Sequence, residues 1–272
     1  GLAALTRIGH SLGSGDAQQA RFQAWTSVTM ALAFALGSAS LIALLRTWIA
    51  SAYTSDTAVI AIAAELLIWA VKPQQFKEST ESVASHTTAA LHLSVAAGIR
   101  SESIARWLGT DRVVRAMPNM PALIGKGISG LFARPGATAA DQQLVAQVLA
   151  GTGQVIWLDA EDKLDAVTAL SGSGPAYVFY FMEAMTIAGT EMGLSRDQAH
   201  QLASATFVGA SELACTSSES PQTLRQRVTS KGGTTHAAIS AMENDDVRAL
   251  FIDAIYAARE RAKELADEFG AD

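Results

Sequence analysis

Apolar positions along the chain change their pattern twice. Residues 22–45 form an uncharged apolar run, which exceeds the roughly 20 residues that a helix needs to span a bilayer; a fully buried helix of a globular protein would show the same pattern. From about residue 68 to 160, short apolar runs alternate with polar stretches, which predicts an α/β sheet. Beyond residue 160 the apolar positions recur at helical spacing. We therefore divide the chain into segments 1–67, 68–160 and 161–272.

The middle segment contains five short apolar runs that we interpret as strands. They cover residues 66–73, 91–98, 112–119, 128–133 and 154–159. The first run has to end at Pro73, because proline cannot donate to a strand ladder. Helices are predicted between the strands at residues 74–90, 101–109 and 138–151. In the second helix, Ser101 is the expected N-cap and Gly109 the expected stop.

Three of the predicted strands end in residues that could line a ligand. In an α/β sheet, ligands bind beyond the carboxyl ends of the strands, and a glycine there lets a ligand approach the backbone. Ordinary turns use the same residue types, so each position taken alone also fits a simple turn. The candidate rim positions are Val71, Lys72 and Pro73 after the first strand, Ala97 and Gly98 after the second, and Asn119 after the third.

The last segment is predicted to be helical throughout. An apolar helix that begins near residue 161 is interrupted at 171–174, and Pro175 suits the first turn of the helix that follows. Ser195 and Gln198 have the spacing of a capping box, and Pro221 opens another helix. The final helix, roughly 246–269, has one apolar stripe that fits either the core or a subunit contact.

A polar loop precedes the next-to-last predicted helix, within the stretch VTSKGGTTHAAI. Successive glycines let several N–H groups point one way, and a helix N-terminus adds positive partial charge. The loop is therefore a candidate site for a small carboxylate or phosphate, although a plain glycine-rich turn also explains it. His236, just beyond the loop, is either a general acid or a solvated residue. The loop residues are Ser230, Lys231, Gly232, Gly233, Thr234 and Thr235.

Composition separates the N-terminal segment from the rest. Charged residues make up 17% of the 272 residues and the formal net charge is −6, yet residues 1–71 carry only three positive and three negative charges. The remainder carries the whole acidic balance, which argues against a nucleic-acid partner. Cys215 is the only cysteine, so an intramolecular disulfide and a multi-cysteine metal site are excluded. The sequence contains no motif typical of a bound metal, and we expect none.

The N-terminal segment consists of a polar stretch at 9–21, the apolar run at 22–45 and a second apolar stretch at 49–67. Together these resemble part of a multidrug and toxin extrusion transporter, which implies apolar helices and membrane contact only through residues 22–45. The glycines of the polar stretch are spaced G-x-x-x-G-x-G. They therefore do not form the dinucleotide fingerprint, which is G-x-G-x-x-G directly after a buried strand.

The remaining residues carry five motifs, in the order AVKP, SVAAG, RVVRAMPNMPALIGKG, ALSGSGPAYVF and VTSKGGTTHAAI. Over about residues 69–270 the chain resembles the pyrroline-5-carboxylate reductase family. The resemblance implies a cytoplasmic enzyme that reduces 1-pyrroline-5-carboxylate to L-proline with NADPH or NADH. It also implies a Rossmann domain followed by a helical dimerisation domain, with dimers that assemble into decamers in many members.

The resemblance assigns roles to the two candidate groups of residues. The loop 230–235 would hold the carboxylate of the substrate, and Thr235, as the catalytic residue, would also hydrogen-bond the ring nitrogen. The rim positions would contact the ribose and nicotinamide of the cofactor. Met120 departs from the family, which usually has threonine at this position.

The glycine-rich turn with which the family begins is missing, and the transporter-like segment stands in its place. We therefore expect the rear half of a Rossmann-like α/β sheet followed by an all-α dimerisation domain, with apolar helices in place of the first Rossmann half. The cradle for the cofactor's pyrophosphate would be lost, which predicts weak NADPH binding. Two alternatives stay open: a transporter fragment fused to a passenger domain, and a catalytically inactive helical dimerisation module.

Overall fold

A computed structural model describes residues 65–270 of the chain. The predictions for the apolar run at 22–45 and for the transporter-like segment lie outside these residues. Within the described part, no helix is both long enough and apolar enough to cross a membrane.

A five-stranded sheet forms the first half of the described chain, and each predicted strand is confirmed. The strands are β1 (Leu66–Trp69), β2 (Leu91–Ser94), β3 (Val113–Met117), β4 (Gly127–Ala133) and β5 (Gly153–Trp157). They lie side by side in chain order. Strand β2 runs parallel to β3, β3 antiparallel to β4, and β4 parallel to β5.

The reversal at β4 makes the sheet mixed, and the length of the connection explains it. Only residues 118–126 join β3 to β4, and they contain the short 3-10 helix Met120–Ile124. A parallel connection needs a crossover of a dozen or more residues. The chain therefore turns back on itself directly after β3.

Four helices accompany the strands: α1 (Pro73–Glu81), α2 (Ala84–Thr87), α3 (Ser101–Leu108) and α4 (Ala139–Leu149). Pro73 opens α1, and Gly109 ends α3 in a left-handed conformation, as predicted. The expected N-cap at Ser101 is wrong. Arg100 holds that position, and the Ser101 hydroxyl donates to the Glu161 carboxylate instead of capping the helix.

The core of this half lies where α1 and α3 cover the first strands. Phe76 of α1, Ile104 and Leu108 of α3, and Val113 of β3 are fully buried in one cluster. Their side chains come from helical positions one turn apart and from neighbouring strands, as an apolar helix face on a sheet requires. The packing holds the ends of β1, β2 and β3 in fixed places.

The second half of the described chain is helical, as predicted. Its helices are α5 (Lys163–Val167), α6 (Gly174–Glu191), α7 (Arg196–Thr216), α8 (Pro221–Arg227), α9 (Thr234–Asn244) and α10 (Val247–Gly270). The predicted interruption is confirmed as the π-helical turn Thr168–Gly172, after which Pro175 lies in the first turn of α6. The capping box of Ser195 and Gln198 is present at α7.

Only part of the apolar stripe of the final helix is buried in the core. Ala262 in its C-terminal half is buried, and Phe251 packs edge-on against Tyr177 and Phe181 of α6. Leu250, in the N-terminal half of the stripe, is 63% exposed. The stripe therefore combines core positions with positions that nothing in the described chain covers.

Candidate active site

The three predicted groups of rim residues lie at one edge of the sheet. Strands β2 and β3 are parallel, with Ser94 paired to Arg115, so both strands end at this edge. The Val95 N–H donates to the Trp69 carbonyl at 3.1 Å, which places the end of β1 there as well. The structure thus brings together the rim, by which we mean Val71, Lys72, Pro73, Ala97, Gly98 and Asn119.

Gly98 adopts a left-handed φ of 74°, a conformation that is unfavourable for residues other than glycine. A Cβ atom at this position would lie 3.1 Å from the Leu265 Cβ atom of α10. The glycine therefore lets the final helix approach the turn after β2. The approach of a helix, rather than that of a ligand, is what the structure shows at this residue.

Asn119 organises the turn between β3 and β4. Its Oδ1 atom accepts a hydrogen bond from the Ile128 N–H at 3.0 Å, and its carbonyl accepts one from Ala122 at 3.1 Å. These bonds fix the side chain at the edge of the sheet. Its amide nitrogen donates no hydrogen bond within residues 65–270, so a donor is left there for a ligand.

The remaining rim residues are small or exposed. Lys72 is exposed just before α1, and no acidic residue of the described chain pairs with it. Val71, Pro73 and Ala97 are half-buried. Met120, the residue that departs from the family, is 62% exposed beside the rim. With respect to residues 65–270, the rim therefore offers one unpaired cation, one unbonded amide NH2 group and backbone atoms beside small side chains.

Residues 125–130, GKGISG, have the spacing of a dinucleotide fingerprint, but they do not form one. The fingerprint requires a turn from a strand into a helix, whereas Gly127 begins β4. A Cβ atom at Gly130 would meet the Val167 side chain at 2.8 Å. These glycines therefore serve packing. The described residues contain no G-x-G-x-x-G turn that leads from a strand into a helix, and the single glycine between β2 and α3, Gly98, faces Leu265.

The predicted anion loop lies between α8 and α9. Gly232 has a left-handed φ of 75°, and the Gly233 N–H closes a turn onto the Ser230 carbonyl at 3.0 Å. Gly233 then occupies the N-cap of α9. A Cβ atom on Gly233 would lie 2.7 Å from the Ser230 hydroxyl oxygen, so the absence of a side chain lets this hydroxyl lie against the helix start.

The polar side chains of the loop are available to a ligand. Ser230, Lys231 and Thr234 are exposed, and Thr235 is half-buried. Within the described part of the chain, none of these four side chains has a hydrogen-bond or ion-pair partner. They surround the first turn of α9, whose leading N–H groups carry positive partial charge.

His236 follows the loop on the first turn of α9 and is exposed. No carboxylate among residues 65–270 hydrogen-bonds to its ring. A histidine that acts as a general acid is normally oriented by such a partner, so the structure adds nothing in favour of that role. No hydrogen bond or ion pair within the described chain joins the loop to the rim.

Sequence reasoning missed a buried polar cluster next to the rim. The Glu161 carboxylate accepts hydrogen bonds from Arg115 of β3 at 2.5 Å, from the Ser101 N–H at 2.6 Å and from the Ser101 hydroxyl at 2.5 Å. Burial by itself raises the pKa of Glu161, but the Arg115 charge and the Ser101 hydrogen bonds outweigh it and hold that pKa below its usual value. The sequence did contain one indication of this cluster: Arg115 is a charged residue within an apolar strand, and a buried charge requires a partner.

Comparison with known proteins separates the two parts of the chain. A family model described as pyrroline-5-carboxylate reductase dimerisation matches residues 161–265, and one described as MatE matches residues 1–76. A pyrroline-5-carboxylate reductase from Pseudomonas aeruginosa is 45% identical over 209 residues, which are 76% of this chain and 77% of that protein. One from Arabidopsis thaliana is 39% identical over 203 residues, 74% of this chain and 73% of that protein.

Solved structures agree with these relatives. The pyrroline-5-carboxylate reductase from Coxiella burnetii has a TM-score of 0.70 and 40% identity, covering 78% of this chain and 80% of that one. The NADP-bound pyrroline carboxylate reductase from Plasmodium falciparum has a TM-score of 0.70 and 27% identity, covering 74% and 82%. From the shared sheet, the shared helical part and these identities, the chain belongs to the pyrroline-5-carboxylate reductase family.

Proposed function

We propose that the protein is an oxidoreductase that reduces 1-pyrroline-5-carboxylate to L-proline with NADPH or NADH. The observation that carries this proposal is the loop 230–235, which presents free hydroxyls, a free lysine and a helix N-terminus together. That combination suits a small carboxylate. In a chain of this family, the carboxylate is that of the cyclic imine substrate.

The loop recognises the substrate through several hydrogen-bond donors. N–H groups at the start of α9 point at the carboxylate, while Ser230 and Thr234 donate from their hydroxyls. Lys231 adds a positive charge at the loop surface. Charge-assisted hydrogen bonds of this kind are about twice as strong as neutral ones, so the loop favours an anionic ring over a neutral one.

Thr235 hydrogen-bonds the ring nitrogen and so fixes the imine relative to the cofactor. A nicotinamide held at the rim would supply a hydride for the imine carbon. Addition to a protonated imine would give the secondary amine of proline, so no side-chain nucleophile is required. The chain contributes orientation and electrostatics, which are the main sources of catalysis in such a reaction.

The rim can contact only the nicotinamide end of the cofactor. Asn119 offers a free amide donor, Lys72 a free cation, and Ala97 little bulk, and these features fit a ribose and a nicotinamide at the strand ends. A pyrophosphate is typically held by a glycine-rich turn at a helix N-terminus, and residues 65–270 contain no G-x-G-x-x-G turn from a strand into a helix. We therefore propose that NADPH and NADH bind weakly.

Two copies of the chain share each site. Within one described chain the loop is not bonded to the rim, and helices α6 and α7 expose a large apolar surface, including Phe179, Tyr180, Leu202, Val208 and Leu213. Exposed apolar area of this extent is typical of an interface, and the match to a dimerisation family agrees. We propose a dimer in which the loop of one protomer faces the rim of its partner.

Residues 1–67 are proposed to be a transporter-derived segment joined to a cytoplasmic enzyme. The MatE match over residues 1–76 favours a transporter origin for this segment. If the segment folds as it does in a transporter, membrane contact is limited to residues 22–45. The proposed divisions are 1–67, 68–160 for the partial dinucleotide-binding domain, and 161–272 for the helical domain.

The test is turnover by variants of the loop. Thr235→Val removes the hydroxyl and keeps the shape of the side chain, and we expect kcat/KM for 1-pyrroline-5-carboxylate to fall by roughly a hundredfold. Thr88→Val is the matched control, because Thr88 is exposed and lies outside both groups of site residues. Equal kcat/KM values for the two variants would overturn the assignment of the loop.

A further inference from the structure

Glu161 joins Ser101 and Arg115, which lie three and four residues from rim positions, through a single carboxylate. One of its oxygen atoms accepts from Arg115 and from the Ser101 N–H, and the other accepts from the Ser101 hydroxyl. Glu161 itself lies between β5 and α5, at the entry to the helical part of the chain. It therefore adds a polar link between a strand and a helix that also pack directly on each other through Ile104, Leu108 and Val113.

Both partners are immediate neighbours of rim residues. Ser101 begins α3 three residues after Gly98, and the intervening Ile99 is fully buried. Arg115 precedes Asn119 by four residues and is paired in register with Ser94, at the end of β2. Such short, packed connections leave the Ala97–Gly98 turn and Asn119 little freedom to move independently of Ser101 and Arg115.

The arrangement depends on the charge of the carboxylate. The Arg115 side chain is only 7% exposed, and a buried guanidinium without its anion is strongly destabilised. A glutamine at position 161 keeps the size of the side chain and one acceptor oxygen but removes the negative charge that compensates the Arg115 guanidinium. The link between Arg115 and Ser101 would then be weaker, which would loosen the end of β3 relative to α3.

We propose that Glu161 is a positioning residue for the cofactor rim: its carboxylate fixes the Ala97–Gly98 turn relative to Asn119. The inference rests on the proposed function only in naming the rim's ligand as a nicotinamide cofactor. Rigid support behind a binding site matters because a displacement of about 1 Å can reduce a rate by about a hundredfold.

Three variants separate this role from a general contribution to stability. Glu161→Gln removes the charge that compensates Arg115. Ser101→Ala removes the hydroxyl bond to Glu161 together with a long hydrogen bond from Arg134 at 3.4 Å, and leaves the bond between Arg115 and Glu161 in place. Glu260→Gln is the matched control. Glu260 is an exposed residue of α10 that pairs with Arg259 and Lys263, far along the chain from the rim. Amide hydrogen exchange of each variant is compared with that of the parent chain, without added ligand.

Glu161→Gln is expected to speed exchange in both 96–104 and 113–120 and to leave α6 and α7 unchanged. Ser101→Ala is expected to affect 96–104 alone, and Glu260→Gln neither segment. The dissociation constant for NADPH, measured by fluorescence titration, should rise about tenfold in Glu161→Gln. Unchanged exchange in both segments, or an equal rise throughout the chain, would overturn the proposal.

The outcome does not depend on the proposed activity. If the parent chain binds no NADPH and reduces no substrate, the proposed function fails, but the exchange pattern still decides whether Glu161 holds the two rim segments together. If the parent chain is active and Glu161→Gln exchanges like the parent, the proposed function stands and the positioning role is wrong.

Discussion

The Trp69 indole N–H donates a hydrogen bond to Nδ1 of His92 at 3.0 Å, linking β1 to β2 inside the core. Because tryptophan can only donate, Nδ1 is the unprotonated nitrogen, and Nε2 donates to the Thr87 carbonyl at 2.9 Å. The two rings also stack, with centroids 5.9 Å apart. The neutral form of His92 is therefore built into the sheet.

This pair predicts that the protein loses stability in mild acid. Burial, aided by the Arg112 charge and opposed by the Thr87 hydrogen bond, lowers the pKa of His92 below its ordinary value of 6.5. The unfolded chain then binds a proton more readily than the folded one. The stabilisation is complete above pH 6.5 and is lost as the pH falls from there toward the folded-state pKa.

Urea unfolding on both sides of pH 6.5 checks this expectation. The free energy of unfolding should fall on the acidic side in the parent and in His86→Gln, whose histidine is exposed. In His92→Gln the free energy of unfolding should be lower above pH 6.5 than in the parent, and it should change much less with pH. The same pH dependence in His92→Gln and in the parent would show that His92 is not the group responsible.

Gly98→Ala is expected to destabilise the protein more than Gly109→Ala. Both glycines have left-handed φ values, 74° and 67°, so each substitution carries a backbone penalty of about 1 kcal/mol. Only at Gly98 does the new Cβ atom meet a neighbour, Leu265, at 3.1 Å. We expect an additional loss of about 1 kcal/mol there.

A double-mutant cycle tests the contact between Gly98 and α10. Leu265→Gly removes the Cβ atom that a side chain at position 98 would meet, so it should reduce the extra penalty of Gly98→Ala but leave that of Gly109→Ala unchanged. Additive effects for the Gly98 pair, measured by chemical unfolding, would argue against a close approach of α10 to this turn.

Asp141→Asn is expected to lower the free energy of unfolding by about 2 kcal/mol. Asp141 is buried, pairs with Arg112 at 2.6 Å and belongs to the capping box of α4. The hydrogen bond from Arg112, against the effect of burial, holds its pKa below the ordinary 3.8. Its contribution is present above that value and disappears as the pH falls through the folded-state pKa.

The matched control for Asp141 is Asp159→Asn. Asp159 also pairs with a cation, Lys163, at 2.6 Å, but both side chains are largely exposed. Exposed ion pairs add little to stability, so this variant should unfold at nearly the same urea concentration as the parent. A loss as large as that of Asp141→Asn would mean that burial is not what distinguishes the two pairs.

The proposed dimer predicts that an acidic substitution on α6 produces monomers. Phe179 is 54% exposed on that helix, and Phe179→Glu should shift the sedimentation coefficient to that of a single chain. Ile156→Glu is the control, because Ile156 is 49% exposed on β5, away from α6, α7 and the rim residues at the ends of β1, β2 and β3. A dimer that survives Phe179→Glu would place the interface elsewhere.

Local patterns in the sequence were enough to predict the strands and most helix ends. These patterns act over a few residues, and the structure confirms each of them: the short apolar runs, the helix end at Gly109, the capping box at Ser195 and the interruption before Pro175. Ser101 was assigned wrongly because a serine at a helix start usually caps it. Its real partner, Glu161, lies 60 residues away in sequence.

Contacts between distant segments were beyond sequence reasoning for a physical reason. Nothing near Arg115 in the sequence indicates that its counter-charge follows β5, or that Gly98 is approached by the final helix. These relationships depend on how the sheet and helices pack together. The reversal of β4 was in principle predictable, since the segment between 117 and 127 is too short for a crossover.

The most direct test is the initial rate of NADPH oxidation by the purified chain with 1-pyrroline-5-carboxylate, measured as a function of NADPH concentration. We predict oxidation that requires the substrate, and a rate that continues to rise without saturating in the micromolar range, because residues 65–270 contain no glycine-rich fingerprint turn for the pyrophosphate. Saturation at micromolar NADPH would contradict the weak-binding account, and no substrate-dependent oxidation at any NADPH concentration would contradict the proposed reductase activity itself.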